Sequence, residues 1–520
     1  MSRKSDPERP IESPIPFHPC SNGEYAPGPA PRIARIAEEA WRRIVERQHR
    51  RLSMTRRQFA ESASGVAAAL FVLNQIACGE PPEIGAADAG RRDGSRRPRD
   101  AGADAATDGP PIARQDAASI DGGEDGGYYD VDAEMMNDPE CAERLLYEPD
   151  SFVLDVQTHV ANPPLSAPWP QGSPSDKALD FIKQVYVQGG TTVACISGTP
   201  AARNPGASNM EARTQLKEVI DRLGEDRLRL HCNLDFNSQT VASELDYMEM
   251  IAGRHQVGAW KVYPYRQPWL ANQEQGLPFA AKAASLGVPV IAAHRGIANN
   301  GNYRHRGSPR DLVEAASQTP NVSYLCYHSG WEFGRAEDHP YDPNAPDNQT
   351  FGIDRLIRAV LEFNIPRNTG NVYAELGSTW HNLRVNPAHA AHALGKLLKY
   401  LGEDRVLFGT DSVFNGAPQG QIAALRAFQI PASLQQQHGY PALTDEIRRK
   451  ILGLNAAPLY GVDPMKTRCV FDDDDVERLR MSYLHDPRSV PMPHPHHYRG
   501  PQTRREFLAF LRNEERLEHT

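Results

Sequence analysis

The chain reads as an α/β protein built on a (β/α)8 TIM barrel, with a leader and disordered linker before it and a helical extension after it. Three observations lead there. Short apolar runs stop abruptly at a histidine or a carboxylate: 152–159, 289–294, 322–328 and 406–411 end on His159, His294, His328 and Asp411. Runs of this kind alternate with longer amphipathic stretches eight times, the pattern of a parallel sheet covered by helices. No Gly-x-Gly-x-x-Gly follows the first run, which favours a closed barrel over a dinucleotide-binding sheet. The C-terminal ends of barrel strands open on one face, and that face carries the chemistry.

Strands are expected over 152–157, 192–197, 228–235, 257–262, 288–293, 321–327, 371–376 and 405–410. Helices fit between them over 176–188, 209–223, 240–253, 275–286, 308–318, 352–363 and 388–401, and a last one near 444–453 closes the ring. The barrel domain then spans 146–465, and 466–520 is an extension with a helical stretch from Arg504 to Glu518.

Residues 1–79 form an N-terminal extension. Within 53–79, Arg56-Arg57 and Phe59 precede a short apolar run from Gly65 to Ala77, an order that resembles a bacterial twin-arginine export signal. The run is too short to span a bilayer of about 30 Å. Either Met54 is the start, or residues 31–52 are an extended region ahead of the signal; Ile33, Ile36, Ala37, Ala40, Trp41, Ile44 and Val45 stand there at helical spacing. The export reading implies a periplasmic or membrane-associated protein and the twin-arginine machinery as partner, with Cys78 a conceivable lipid-attachment point. The opposing reading is a helix that packs on the barrel of a cytoplasmic protein. Residues 80–145 are expected to be a disordered linker, because 80–127 are rich in Ala, Asp, Gly, Arg and Pro and nearly free of aromatic residues. Such a composition cannot bury enough apolar surface to offset its ordering entropy.

The 520 residues are 40% apolar and 24% charged with a net charge of −9, so no domain-wide basic surface points to nucleic acid. Nothing in the composition sets a subunit count, and an oligomer is compatible with it. The cysteines include no Cys-x-x-Cys pair. Cys195, Cys232 and Cys326 fall in expected strands and read as buried free thiols; a disulfide among Cys20, Cys78 and Cys141 would require export.

Chain distance stops mattering once each candidate ends a strand. His159, His294, His328 and Asp411 are expected to converge at the barrel mouth, and a histidine-plus-carboxylate cluster suits zinc or a similar divalent ion. The order Asp155-x-Gln157-x-His159, His294, His328 and Thr410-Asp411 resembles the amidohydrolase superfamily, in the branch that contains aminocarboxymuconate-semialdehyde decarboxylase and related hydrolases. The tail Lys450-Ile-Leu-Gly-Leu-Asn-Ala-Ala-Pro-Leu-Tyr-Gly461 resembles that family's "ILGxNAxxLYG". The resemblance covers roughly residues 150–465.

What it implies is a divalent metal held by His159, His294 and Asp411, with His328 beside it to polarise a carbonyl or carry a proton. Asp411 would also accept the proton of the attacking water. The family's first strand carries His-x-His where this chain has Gln157-Thr158-His159, so Gln157 takes a ligand position with a weaker, neutral oxygen; a harder ion such as manganese then competes with zinc. Lys261 ends the fourth strand, where other branches carboxylate a lysine; here it either contacts substrate or pairs with Glu375, which is itself either a substrate-binding site acid or a buried carboxylate pairing with that lysine. Arg295, His305 and Arg306 follow the fifth strand and suit a small-molecule carboxylate, or are solvated loop charges. His494, His496 and His497 read as a polar tail. The activity implied is hydrolysis of an amide, ester or lactone. The alternatives are non-oxidative decarboxylation on the same scaffold, and a catalytically impaired exported barrel with a binding role.

Overall fold

The computed structural model describes residues 11–18, 20–21, 26–28, 32–77, 127–147, 151–160, 174–198, 210–236, 239–264, 269–297, 307–471, 474–486, 489–490 and 500–509. Eight parallel strands run in sequence order: β1 Leu154–Thr158, β2 Val193–Ile196, β3 Leu228–Leu234, β4 Ala259–Val262, β5 Val290–His294, β6 Ser323–Tyr327, β7 Val372–Glu375 and β8 Val406–Leu407. Their residues are almost all buried, as strands covered on both faces must be. β8 and β1 close the ring: Val156 N–H donates to Phe408 O at 3.0 Å and Asp411 N–H to Gln157 O at 2.9 Å. The last expected strand is shorter than its apolar run because the chain turns at Asp411, which sits at φ 59°.

The expected helices follow each strand, from Pro174–Phe181 after β1 to Pro387–Tyr400 after β7, the first continuing as a π-helix over Ile182–Gln188. Several helices were not foreseen, among them the one that follows β8. Gln419–Ala427 follows β8 directly, flanked by Pro418, and buries Ile422 and Leu425.

The end of the expected linker is folded. Residues 127–147 bury Tyr128, Tyr129, Met135, Met136, Ala142 and Leu146, and Pro139–Tyr147 is a helix. The polar composition of 80–127 does not extend into this aromatic- and Met-bearing stretch, which has apolar surface to bury. Residues 80–126, Cys78, His305, Arg306 and the 494–497 histidines lie outside the described residues.

The apolar run of the leader is a helix, Ala63–Ala77, whose Val66, Ala67, Ala68, Ala69, Leu70 and Val72 are wholly buried. Helix Arg32–Arg51 packs on one side of it, where Trp41 Nε1 donates to Gly65 O at 3.0 Å. On another side Asn74 accepts from Tyr128 N and Tyr129 N at 3.0 and 2.8 Å and donates to Tyr129 O at 2.7 Å. Tyr129 in turn bridges to Phe428 and donates its hydroxyl proton to Arg384 O at 2.5 Å, tying the helix to the barrel wall. Among the described residues no helix is long and apolar enough to cross a membrane.

The far extension also binds the barrel. Asp474 caps the helix Asp475–His485 and takes a two-toothed ion pair from Arg227 at 2.6 and 2.9 Å. Both chain ends meet over the β8 turn. Ser21 N donates to Pro501 O, Gly500 N donates to Phe414 O, both at 2.8 Å, and Phe507 packs on Phe414. Cys20 and Cys141 form no disulfide, nor do Cys195, Cys232 and Cys326 in the strands.

Candidate active site at the barrel mouth

Strand alternation puts Asp155, Gln157 and His159 on one face of β1. The first of these welds β1 to β8: Asp155 Oδ1 accepts from Gln157 N and Thr410 N, both at 3.1 Å, and Oδ2 from Thr410 Oγ1 at 2.5 Å. Burial pushes the Asp155 carboxyl up to about 8. Gln157 Nε2 donates to Asp411 Oδ1 at 3.1 Å, while its Oε1 lies against Gly377 and Glu375, buried and without a hydrogen-bond donor. His159 Nε2 stands 2.9 Å from the same Asp411 oxygen. Ser378, itself at φ 53°, donates Oγ–H to Asp411 Oδ2 at 2.5 Å.

His294 and His328 form a second pair. His328 Nε2 faces His294 Nδ1 at 3.1 Å, with the ring planes inclined by 69°. His328, Ser329 and Gly330 take φ of 66°, 53° and 74° in succession, a left-handed turn that side chains resist and that aims His328 off the end of β6. Glu375 braces the turn: Oε2 accepts His328 N at 2.9 Å and Oε1 accepts Gly377 N at 2.5 Å. Burial raises this carboxyl to about 7. A side chain on Gly377 or Gly409 would collide with it, so both positions need glycine.

The two pairs belong to one network. His294 touches His328, His328 rests on Gly377 and Glu375, Gln157 Oε1 lies against the same two residues, and Gln157 reaches Asp411, which meets His159. Among the described residues, however, no three His, Cys, Asp or Glu side chains form a ready metal-holding group.

The donor chemistry of these pairs is distinctive. A ring nitrogen against a carbonyl oxygen has to carry the hydrogen, and each histidine has one so placed. His159 Nδ1 is 2.9 Å from Ser197 O, His294 Nε2 is 2.7 Å from Ile297 O, and His328 Nδ1 is 2.6 Å from Gly377 O. In the neutral ring the other nitrogen is then a lone pair. The second nitrogens of His294 and His328 face each other at 3.1 Å, and that of His159 faces Asp411 Oδ1 at 2.9 Å. Acceptors set against acceptors repel unless a proton or a cation joins them. These residues therefore fit a divalent ion in kind and in tautomer, through the outer carbonyls that commonly orient metal-binding histidines.

The remaining candidates stand as follows. Lys261 is buried, its Nζ 3.5 Å from the centre of the Tyr327 ring and 4.7 Å from that of Tyr263. Arg295 is fully buried and gives its guanidinium to both oxygens of Asp311 at 2.8 Å and to His294 O at 3.0 Å, so its charge is neutralised inside the fold. Glu375 holds the backbone around His328. Phe414 lies edge-on to His159, 5.4 Å between ring centres. Sequence reasoning missed Ser378, Ser197, His231 and Phe414. Ser378 sits in a Gly-Ser-Thr run just past β7, the kind of strand-end position that supplied the other candidates. His231 lies mid-strand, and burial, reinforced by Lys261 and Arg213, keeps its pKa well below the usual histidine range.

The class that fold and site define is a (β/α)8 barrel with a histidine–aspartate site at its C-terminal mouth. Residues 214–462 match the amidohydrolase family model Amidohydro_2, a span that begins beyond β1 and includes His294, His328 and Asp411. No curated protein matches the chain. Among solved structures it is similar to 5-carboxyvanillate decarboxylase from Novosphingobium aromaticivorans, complexed with manganese, at 11% identity over 61% of this chain and 97% of that one, TM-score 0.37. It is similar to 2,6-dihydroxybenzoate decarboxylase from Rhizobium at 14% identity over 60% and 99%, TM-score 0.37. An amidohydrolase from Burkholderia multivorans with bound zinc is 15% identical over 60% and 100%, TM-score 0.38.

Proposed function

We propose that this protein is a metal-dependent hydrolase of the amidohydrolase kind, acting on an amide, ester or lactone. His159, His294 and Asp411 would hold a divalent ion, zinc before manganese, with His328 at its edge. The observation that carries this reading is the set of contacts: three histidines, each with one ring nitrogen against a backbone carbonyl, turn the other nitrogen to a second histidine (His294 and His328) or to a carboxylate (His159).

When bound, the ion supplies Lewis acidity and lowers the pKa of water to about 7. The chain's own groups do the rest. Asp411 accepts a proton at Oδ1, while Ser378 holds Oδ2 and keeps the carboxylate oriented. His328 takes and returns a proton at Nε2, and the Gly377 carbonyl steadies the resulting imidazolium at Nδ1. Phe414 excludes water beside His159. Gln157 donates to Asp411 and lowers its basicity relative to a site with two imidazoles on β1.

Elemental analysis of purified, folded protein tests the reading. Near one equivalent of zinc or manganese is expected, lost in His294→Ala and Asp411→Asn variants that keep their circular dichroism. Protein that takes up neither metal on loading would overturn it. Release of carbon dioxide from aromatic carboxylates by the same preparation would replace hydrolysis with decarboxylation.

A further inference from the structure

Helix Arg32–Arg51 carries a charge that the rest of the fold does not explain. Residues 32–57 hold nine arginines and three glutamates, in a chain whose net charge is −9. One face of the helix is buried about Trp41 and Ile44, where it packs on helix Ala63–Ala77. On the other face, at about 100° per residue, Arg32, Ile36, Arg43, Arg47 and Arg50 fall within a stripe of roughly 60°. Ile36 is 37% exposed in this stripe, and Ile33 is 47% exposed at its edge.

The glutamates do not neutralise the stripe. Glu38 takes Arg42 at 2.6 Å, Glu46 takes Arg56 at 2.7 Å, and Glu39 takes Arg43. Arg32, Arg35, Arg47, Arg50 and Arg51 are exposed, with no acidic partner among the described residues. Helix stability does not account for them either. Arg50 and Arg51 suit the last turn, but Arg32 and Arg35 stand in the first, where no acid is present and the helix dipole disfavours cations. Arg47 has Arg43 and Arg51 four residues away on either side, a spacing at which like charges repel.

Two features choose the kind of anion that would relieve this repulsion. Trp41, the only Trp, Tyr or Phe of the helix, is buried, so the face offers no ring on which a nucleic-acid base could stack. Ile33 and Ile36 stand exposed beside Arg32 and Arg35, an arrangement that suits a lipid interface, where phosphate headgroups meet arginine and the acyl boundary takes apolar side chains. We infer that the exposed face of helix Arg32–Arg51 docks the folded protein on membrane surfaces that bear anionic lipid. The buried face keeps its seat against helix Ala63–Ala77, so docking requires no unfolding, and it needs no metal at the barrel mouth.

The test is co-sedimentation of the full-length protein with vesicles of one part phosphatidylglycerol to two parts phosphatidylcholine, against vesicles of phosphatidylcholine alone. Binding is expected to the first and not to the second, and it should weaken as added salt screens the surface charge. Arg32→Glu, Arg35→Glu and Arg47→Glu together should weaken it at least about a hundredfold, since each arginine near an anionic surface contributes about fivefold. Lysine at the same three positions should keep it. Ile33→Ser with Ile36→Ser should weaken it about tenfold. All five side chains are exposed, so the variants are expected to keep the parent's circular dichroism and thermal transition; should the triple glutamate variant fail to fold, Arg32→Gln with Arg35→Gln is expected to lose at least about tenfold. No binding to the anionic vesicles, equal binding to both kinds, or charge variants that bind like the parent would overturn the inference. Binding to a DNA duplex that is tighter than vesicle binding at the same salt, and indifferent to the isoleucine pair, would replace the membrane with nucleic acid.

Discussion

At the scale of residues, the site is made by what holds each side chain rather than by the side chains alone. Carbonyls of Ser197, Ile297 and Gly377 choose the tautomers of His159, His294 and His328. Gln157 marks the chain's departure from the two-imidazole pattern of its first strand. As placed, it gives Asp411 a hydrogen bond where an imidazole would give the ion a ligand. Gln157→His is therefore expected to tighten zinc binding at least about tenfold, read by chelator competition; unchanged or weaker binding would show that this position does not face the ion. The strand-end residues were legible because each closes an apolar run. Ser197 and His231 were not, because a serine carbonyl and a histidine within a strand carry no spacing signal. Arg295 looked like a substrate clamp in sequence, and only the fold reveals that Asp311 lies where it neutralises the guanidinium.

At the scale of elements, the strands could be read because buried parallel strands are continuous apolar runs, and the helices between them because their apolar positions recur at helical spacing. Helix Gln419–Ala427 escaped because Pro418 and Gly420 sit at its start, where they read as loop. The helix Ala63–Ala77 is the element whose sequence admits two roles, an export leader or a wall of the barrel. In the structure it is seated against helix Arg32–Arg51 and residues 127–131. Under the export reading these residues must leave that seat before the machinery can read them. Two measurements decide it. Intact mass of protein purified from cells should include residues 63–77, and Leu70→Ala should cost about 2–5 kcal/mol in a single denaturation step shared with the barrel. A mass beginning after residue 79, or a first transition that leaves the barrel folded, would favour the leader.

At the scale of the whole molecule, the barrel is wrapped by segments from both ends of the chain. The N-terminal helices line one side, Arg227 and Asp474 fasten the far extension, and residues 20–21 and 500–507 close over Phe414 next to His159. The barrel brings residues from β1, β5, β6 and the turn after β8 into one network at its mouth. Crystals grown with excess zinc and measured across the zinc absorption edge test that most directly. The account predicts one anomalous peak within about 2.0–2.2 Å of His159 Nε2, His294 Nδ1 and an Asp411 oxygen. An absent peak, with His159 still hydrogen-bonded to Asp411 and His294 to His328, would contradict it.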